Sequence, residues 1–164
     1  MSSYWGPNYE LAIKYFNCDD FSYAKECIDD VLSEFPESCN DPEVLINAAN
    51  IYFNSTEDFI NQPLPNYLTI HEVLEGKYKK VIELTDRGLS ISNLSEMNKS
   101  ILYTLKGNAY DAQADEIANI VSDTLSTEEI KYYVQKGFEL HKKSEECFSK
   151  VSVNIGDGFV VEKE

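Results

Sequence analysis

Six side chains of this 164-residue chain are best suited to bond chemistry or metal binding: Cys18, Cys27, Cys39, Cys147, His71 and His141. Structural zinc sites draw thiols and imidazoles from closely spaced pairs, because two ligands must reach one ion from one turn. None of the four cysteines forms a C-x-x-C pair, and the two histidines lie far apart. Cys27 and Cys147 fall at helical core positions, so free buried thiols are expected. Cys18 has no basic neighbour to lower its pKa. The acidic pairs Asp19–Asp20, Asp29–Asp30 and Glu145–Glu146 could in principle share a cation. Adjacent residues on a helix point about 100° apart, so each pair reads as solvated surface. There is no glycine-rich phosphate loop, no H-E-x-x-H and no G-x-S-x-G. The expectation is a non-enzyme with no metal and no cofactor.

The formal charge is −15 and the sequence pI about 4.4. Nucleic-acid binding needs a basic surface, and anionic membranes would be repelled. An acidic chain favours a basic protein partner and speeds encounter with it. No apolar run approaches the ~18 residues that span a bilayer. The opening "MSSYWGPNYE" has no basic stretch followed by an apolar one, so no signal peptide is expected. Together with free thiols, this implies a cytoplasmic setting.

Scarce glycine and proline, 7 and 5, favour long helices over a turn-rich β fold. Pro7 opens a helix with Leu11, Ala12 and Tyr15 on one face. Asp19–Asp20 interrupts it and caps the next, where Ala24, Cys27, Ile28, Val31 and Leu32 recur at helical spacing until Pro36. Asp41–Pro42 is a strong helix start, followed by the stripe Leu45, Ala48, Ala49 and Tyr52. "NSTEDFINQPLPN" is read as a loop. A helix is predicted from about Tyr67 to Ile91, with a break near Gly76. Asn93-x-x-Glu96 and Ser126-x-x-Glu129 resemble capping boxes that start two further helices. Residues 153–164 read as a flexible tail. The fold class is all-α: one domain over residues 1–152, built of antiparallel helix hairpins.

The hairpins resemble one another. Phe21, Ala24, Ile28 and Val31 with Pro36, preceded by Ala12 and Tyr15, resemble a tetratricopeptide repeat. A second copy runs through Leu45, Ala48, Ala49 and Tyr52 and resumes at Gly76, Tyr78, Val81, Thr85 and Gly88. A third carries Tyr103 and "GNAY", with Gly107 and Tyr110, then Ser144, Phe148 and Val151. The resemblance implies a short superhelix of about three repeats, with long insertions in the second and third. Glycine costs roughly 1 kcal/mol inside a helix. Gly107 is therefore expected where the two helices of one repeat approach most closely. The last helix would solvate the end of the stack through Glu128, Glu129, Lys142, Lys143, Glu145 and Glu146.

In such stacks the first helix of each repeat lines a concave groove. Helix periodicity then assigns it Tyr9, Glu10, Ile13, Phe16 and Asn17 from the first repeat. The second gives Ile46, Asn47, Asn50, Phe53 and Asn54, and the third Thr104, Leu105, Asn108 and Asp111. Asparagine amides can pair with the backbone of a bound peptide. Of the clamp by which some family members grip chaperone tails, only Asn47 matches; Tyr9, Ile13, Ile101 and Leu105 stand at the other places. The function expected is a protein-interaction module, an adaptor or small chaperone for a basic partner. The alternative is an acidic inhibitor, such as a bacterial immunity protein, that would mask a basic toxin through Asp29, Asp30 and Glu34.

Overall fold

The computed structural model describes residues 5–55, 67–120 and 125–153, with side chains from Glu75 onward in the fourth helix and up to Asn119 in the fifth. All regular structure among them is helical. The elements are α1 (Gly6–Asn17), α2 (Phe21–Glu34), a 3-10 turn (Pro36–Asn40), α3 (Pro42–Asn54), α4 (Tyr67–Leu89), α5 (Glu96–Ile120) and α6 (Thr127–Phe148). No helix among the described residues is long and apolar enough to cross a membrane. The expected loop over 56–66, the placement of His71 and the tail 154–164 lie outside the described side chains and residues.

The chain's punctuation sets the helix ends. Pro7 occupies the first turn of α1. Asp20 caps α2 by accepting from the Tyr23 N–H at 3.4 Å, and Asp19 just before it takes a left-handed φ of 61°. Asp41 accepts from the Glu43 N–H at 3.0 Å, with Pro42 opening α3. Ser126 and Glu129 form a reciprocal capping box at the start of α6. Two expectations fail. Helix α4 runs unbroken through Gly76, because glycine without a competing turn partner only weakens a helix. Helix α5 is capped by Ser95, whose hydroxyl accepts from the Asn98 N–H at 3.0 Å. Asn93 is left-handed (φ 59°) and belongs to the preceding turn.

The helices form three antiparallel hairpins, α1/α2, α3/α4 and α5/α6. Each helix packs on the next in the chain, and α3 also touches α1 and α5. Small residues sit where helices meet: Ala12, Ala24, Ala48, Ala49 and Ala109 are fully buried. They surround Ile28, Leu45, Ile51, Val81, Leu102 and Leu105 in one continuous core that stops near Ala109. A separate small core of Ala114, Ile117 and Leu140, with Tyr110 and Tyr133 against it, holds the far half of the α5/α6 hairpin. Buried hydroxyls bond to local carbonyls, as Thr85 Oγ1 does to Val81 O at 3.0 Å. Two ion pairs tie α4 to its neighbours: Lys106–Asp86 at 2.6 Å and Lys136–Glu75 at 3.0 Å. After α6 the chain is docked: the Ser152 and Val153 N–H groups donate to Ser100 Oγ at 3.0 and 3.1 Å.

All four cysteines are free. Cys39 and Cys147 are buried, Cys27 is half-buried and Cys18 is exposed. Burial and nearby carboxylates hold the Cys27 thiol above its ordinary pKa, and burial does the same for Cys147. High pKa values leave few thiolates to react.

Candidate partner-binding surfaces

Helix α3 is enclosed on most sides. Its least covered stripe is Glu43, Asn47 and Asn54, with Asn50 at its edge. The asparagines of this stripe differ in what they already do. Asn47 Nδ2 donates to the Tyr9 hydroxyl, which donates in turn to Glu43 Oε2 at 3.1 Å. Tyr9 thus bridges α1 to α3. Its phenol pKa is raised, first by burial, with Asn47 pulling it back and Glu43 adding to the rise. Asn54 Nδ2 is bonded to the Asn50 carbonyl at 2.8 Å, which ties up the last turn of α3. Asn50 is 6% exposed, and its Oδ1 is buried with no hydrogen-bond partner among the described residues. An unpaired buried acceptor costs roughly 1–3 kcal/mol.

Among the other expected groove residues, Ile13, Phe53 and Asn108 are half-buried and Asn17 is exposed. Phe16 and Leu105 are corrections: Phe16 is 5% exposed and packs on Phe21, and Leu105 is fully buried. Ile46 is also core, at 7%. Single-helix periodicity could not separate their faces, since α1, α3 and α5 each contact more than one neighbour.

On the outer surface of α2, Asp30 and Glu34 are exposed. Asp29 is not a free carboxylate. It accepts from the Tyr52 hydroxyl and pairs with Lys25 Nζ at 3.4 Å.

Two features escaped the sequence reading. Lys77 is buried at 2% exposure, its ammonium 4.7 Å from the Tyr78 ring centroid and 5.4 Å from that of Phe53. Burial lowers its pKa from 10.5 to about 8, against an opposing pull from Glu116. Lys77 shares the stripe Lys77, Val81, Leu84, Gly88, so its burial was written in the spacing. The second feature is apolar exposure on α6. Phe138, Tyr132 and Val134 are exposed at 72%, 58% and 57%. The charged residues expected to solvate this helix, Glu128, Glu129, Lys142, Lys143, Glu145 and Glu146, are indeed exposed, but they share the surface with these apolar ones. His141, also exposed, bonds Asp111 Oδ1 at 3.1 Å, and Ser144 donates to that same oxygen at 2.7 Å. Serine and histidine both face the carboxylate rather than each other, so no serine nucleophile is paired with a base here.

No protein-family model, curated protein or solved structure matches this chain.

Proposed function

We propose that the chain is a non-catalytic protein-interaction module of tetratricopeptide type, an adaptor or small chaperone. It holds an extended segment of a basic partner along α3. The observation that carries this reading is Asn50 Oδ1, a buried acceptor without a partner among the described residues, at the edge of the least covered stripe of α3. A backbone N–H from a bound segment would satisfy it once the buried Asn50 side chain turns outward into the stripe, and the free protein bears its cost until then. The three hairpins, with small residues at their crossings, support the repeat assignment. The charge of −15 supports a basic partner, met quickly at low salt.

The test uses the protein encoded by the adjacent gene as the candidate partner, with binding measured by calorimetry across a salt series. Asn50→Leu should remove most binding while leaving the free fold at least as stable. The pair Asp30→Lys and Glu34→Lys should slow association without changing the bound state. If the lysine pair abolishes binding and Asn50→Leu does nothing, the acidic-inhibitor reading stands instead. Binding that resists both variant sets would exclude both.

A further inference from the structure

We propose that the far flank of the α5/α6 hairpin, formed by Ala118, Val134 and Phe138, is a docking surface for a short basic amphipathic helix of another protein. This surface is separate from the α3 stripe and does not depend on it. Val134 and Phe138 stand one turn apart on α6 and point away from the main core. Between them and α5 lies an open cavity of about 380 Å³, floored by Ala114, Ile117 and Gly137. Its size is at the lower end of the range for ligand pockets. It borders only the small three-residue core, because the main core ends near Ala109.

Gly137 shapes the cavity. A glycine in mid-helix costs roughly 1 kcal/mol relative to alanine. Packing within the chain does not require it: a Cβ built there would meet only Ile117 Cγ2, at an ordinary 3.9 Å. The missing side chain instead deepens the cavity.

Charge selects the occupant. On the α5 side the cavity is flanked by Asp111 and Asp115, while Glu116 lies toward Lys77 on the other face of the helix. Asp115 is exposed beside the cavity edge formed by Ala118. The opposite edge, one turn beyond Phe138, carries Lys142. A docked helix would therefore lay its basic flank over α5. A second copy of this chain, itself at −15, would bring like charge to the same face. Val134 to His141 spans about 10 Å of helix. That length suits a partner with apolar residues at i, i+3 or i+4, and i+7.

The experiment titrates isotope-labelled full-length protein with two synthetic helical peptides of about fifteen residues. Both carry leucines at i, i+3, i+4 and i+7; one has lysines elsewhere and the other glutamates. The lysine peptide should shift the amide resonances of Ala118, Val134, Gly137 and Phe138, and bind about tenfold tighter than the glutamate peptide. Phe138→Asp should weaken it at least about tenfold with an unchanged circular dichroism spectrum. Asp115→Lys should weaken it about threefold, and Lys142→Glu should not weaken it. Gly137→Ala should raise the thermal midpoint yet lower the affinity. Shifts confined to other surfaces, or equal binding of the two peptides, would overturn the proposal. So would a dimer that Phe138→Asp dissociates, or binding seen only after residues 154–164 are removed.

Discussion

A Cβ built on Gly107 would lie 2.6 Å from Cε1 of Phe148, closer than real Cβ atoms approach anything. Gly107 on α5 and Phe148 at the end of α6 therefore pack as backbone against ring. The close approach expected at Gly107 is present, and what meets it is the ring of Phe148 rather than another backbone. Replacing Gly107 with leucine should cost about 1–3 kcal/mol through overpacking. Alanine should be nearly neutral, because Phe148 is 36% exposed and its ring has room to shift while the helix gains propensity. Urea denaturation of both variants checks this. A leucine variant as stable as the parent would contradict the packing described.

Gly76 and Gly88 lie on one helix and should respond oppositely to alanine. A Cβ at Gly76 meets nothing within 4 Å, whereas one at Gly88 would lie 2.9 Å from both methyls of Leu102. Leu102 is fully buried and cannot swing aside. Gly76→Ala should stabilise by roughly 0.5–1 kcal/mol. Gly88→Ala should destabilise by about 1 kcal/mol or more. Thermal melts of the two variants give the signs directly.

Lys77 should make stability rise with pH in a range where most proteins are level. Its folded pKa is about 8, below the ordinary 10.5. Between those values the unfolded chain binds more protons than the folded one, so raising pH favours folding. The gain is fully present above the unfolded value and is lost as pH falls through about 8. Its size should be about 2 kcal/mol between pH 8 and 10, at ~1.4 kcal/mol per unit. Above pH 10 the tyrosines act in the opposite direction. Tyr78 is pushed up to about 12 by burial, with Glu116 and Asp115 adding to it, and its stabilising share is lost as pH rises. Lys77→Met should flatten the rise from pH 8 to 10. A slope that survives this substitution would assign it to another group.

Asn47 should matter to folding before it matters to any partner. Its amide is bonded to the Tyr9 hydroxyl across the α1–α3 boundary. Asn47→Ala should cost about 0.5–1.5 kcal/mol for the lost hydrogen bond. Tyr9→Phe should cost a similar amount, and the double variant should cost less than the sum, since the two share one bond. Additive losses in that cycle would mean the two side chains act separately.

The sequence by itself determined most helix starts and that helices adjacent in the chain pair as hairpins. Asp20, Asp41, Pro42 and Ser126 act within a turn of their own position, so local rules suffice for them. The small residues Ala12, Ala49 and Gly107 showed where helices could come close, because a missing side chain permits only that. Tertiary structure decided what each exposed or polar side chain meets. Asn47, Asn50 and Asn54 follow one another on a single face and look alike in the sequence. Yet one is bonded to Tyr9, one holds a buried oxygen unpaired among the described residues, and one closes its own helix end. Periodicity is a property of one helix, whereas these fates depend on a second helix arriving from a distant part of the chain. For the same reason Lys77 was buried by its neighbours, and Val134 and Phe138 were left uncovered where the main core ends.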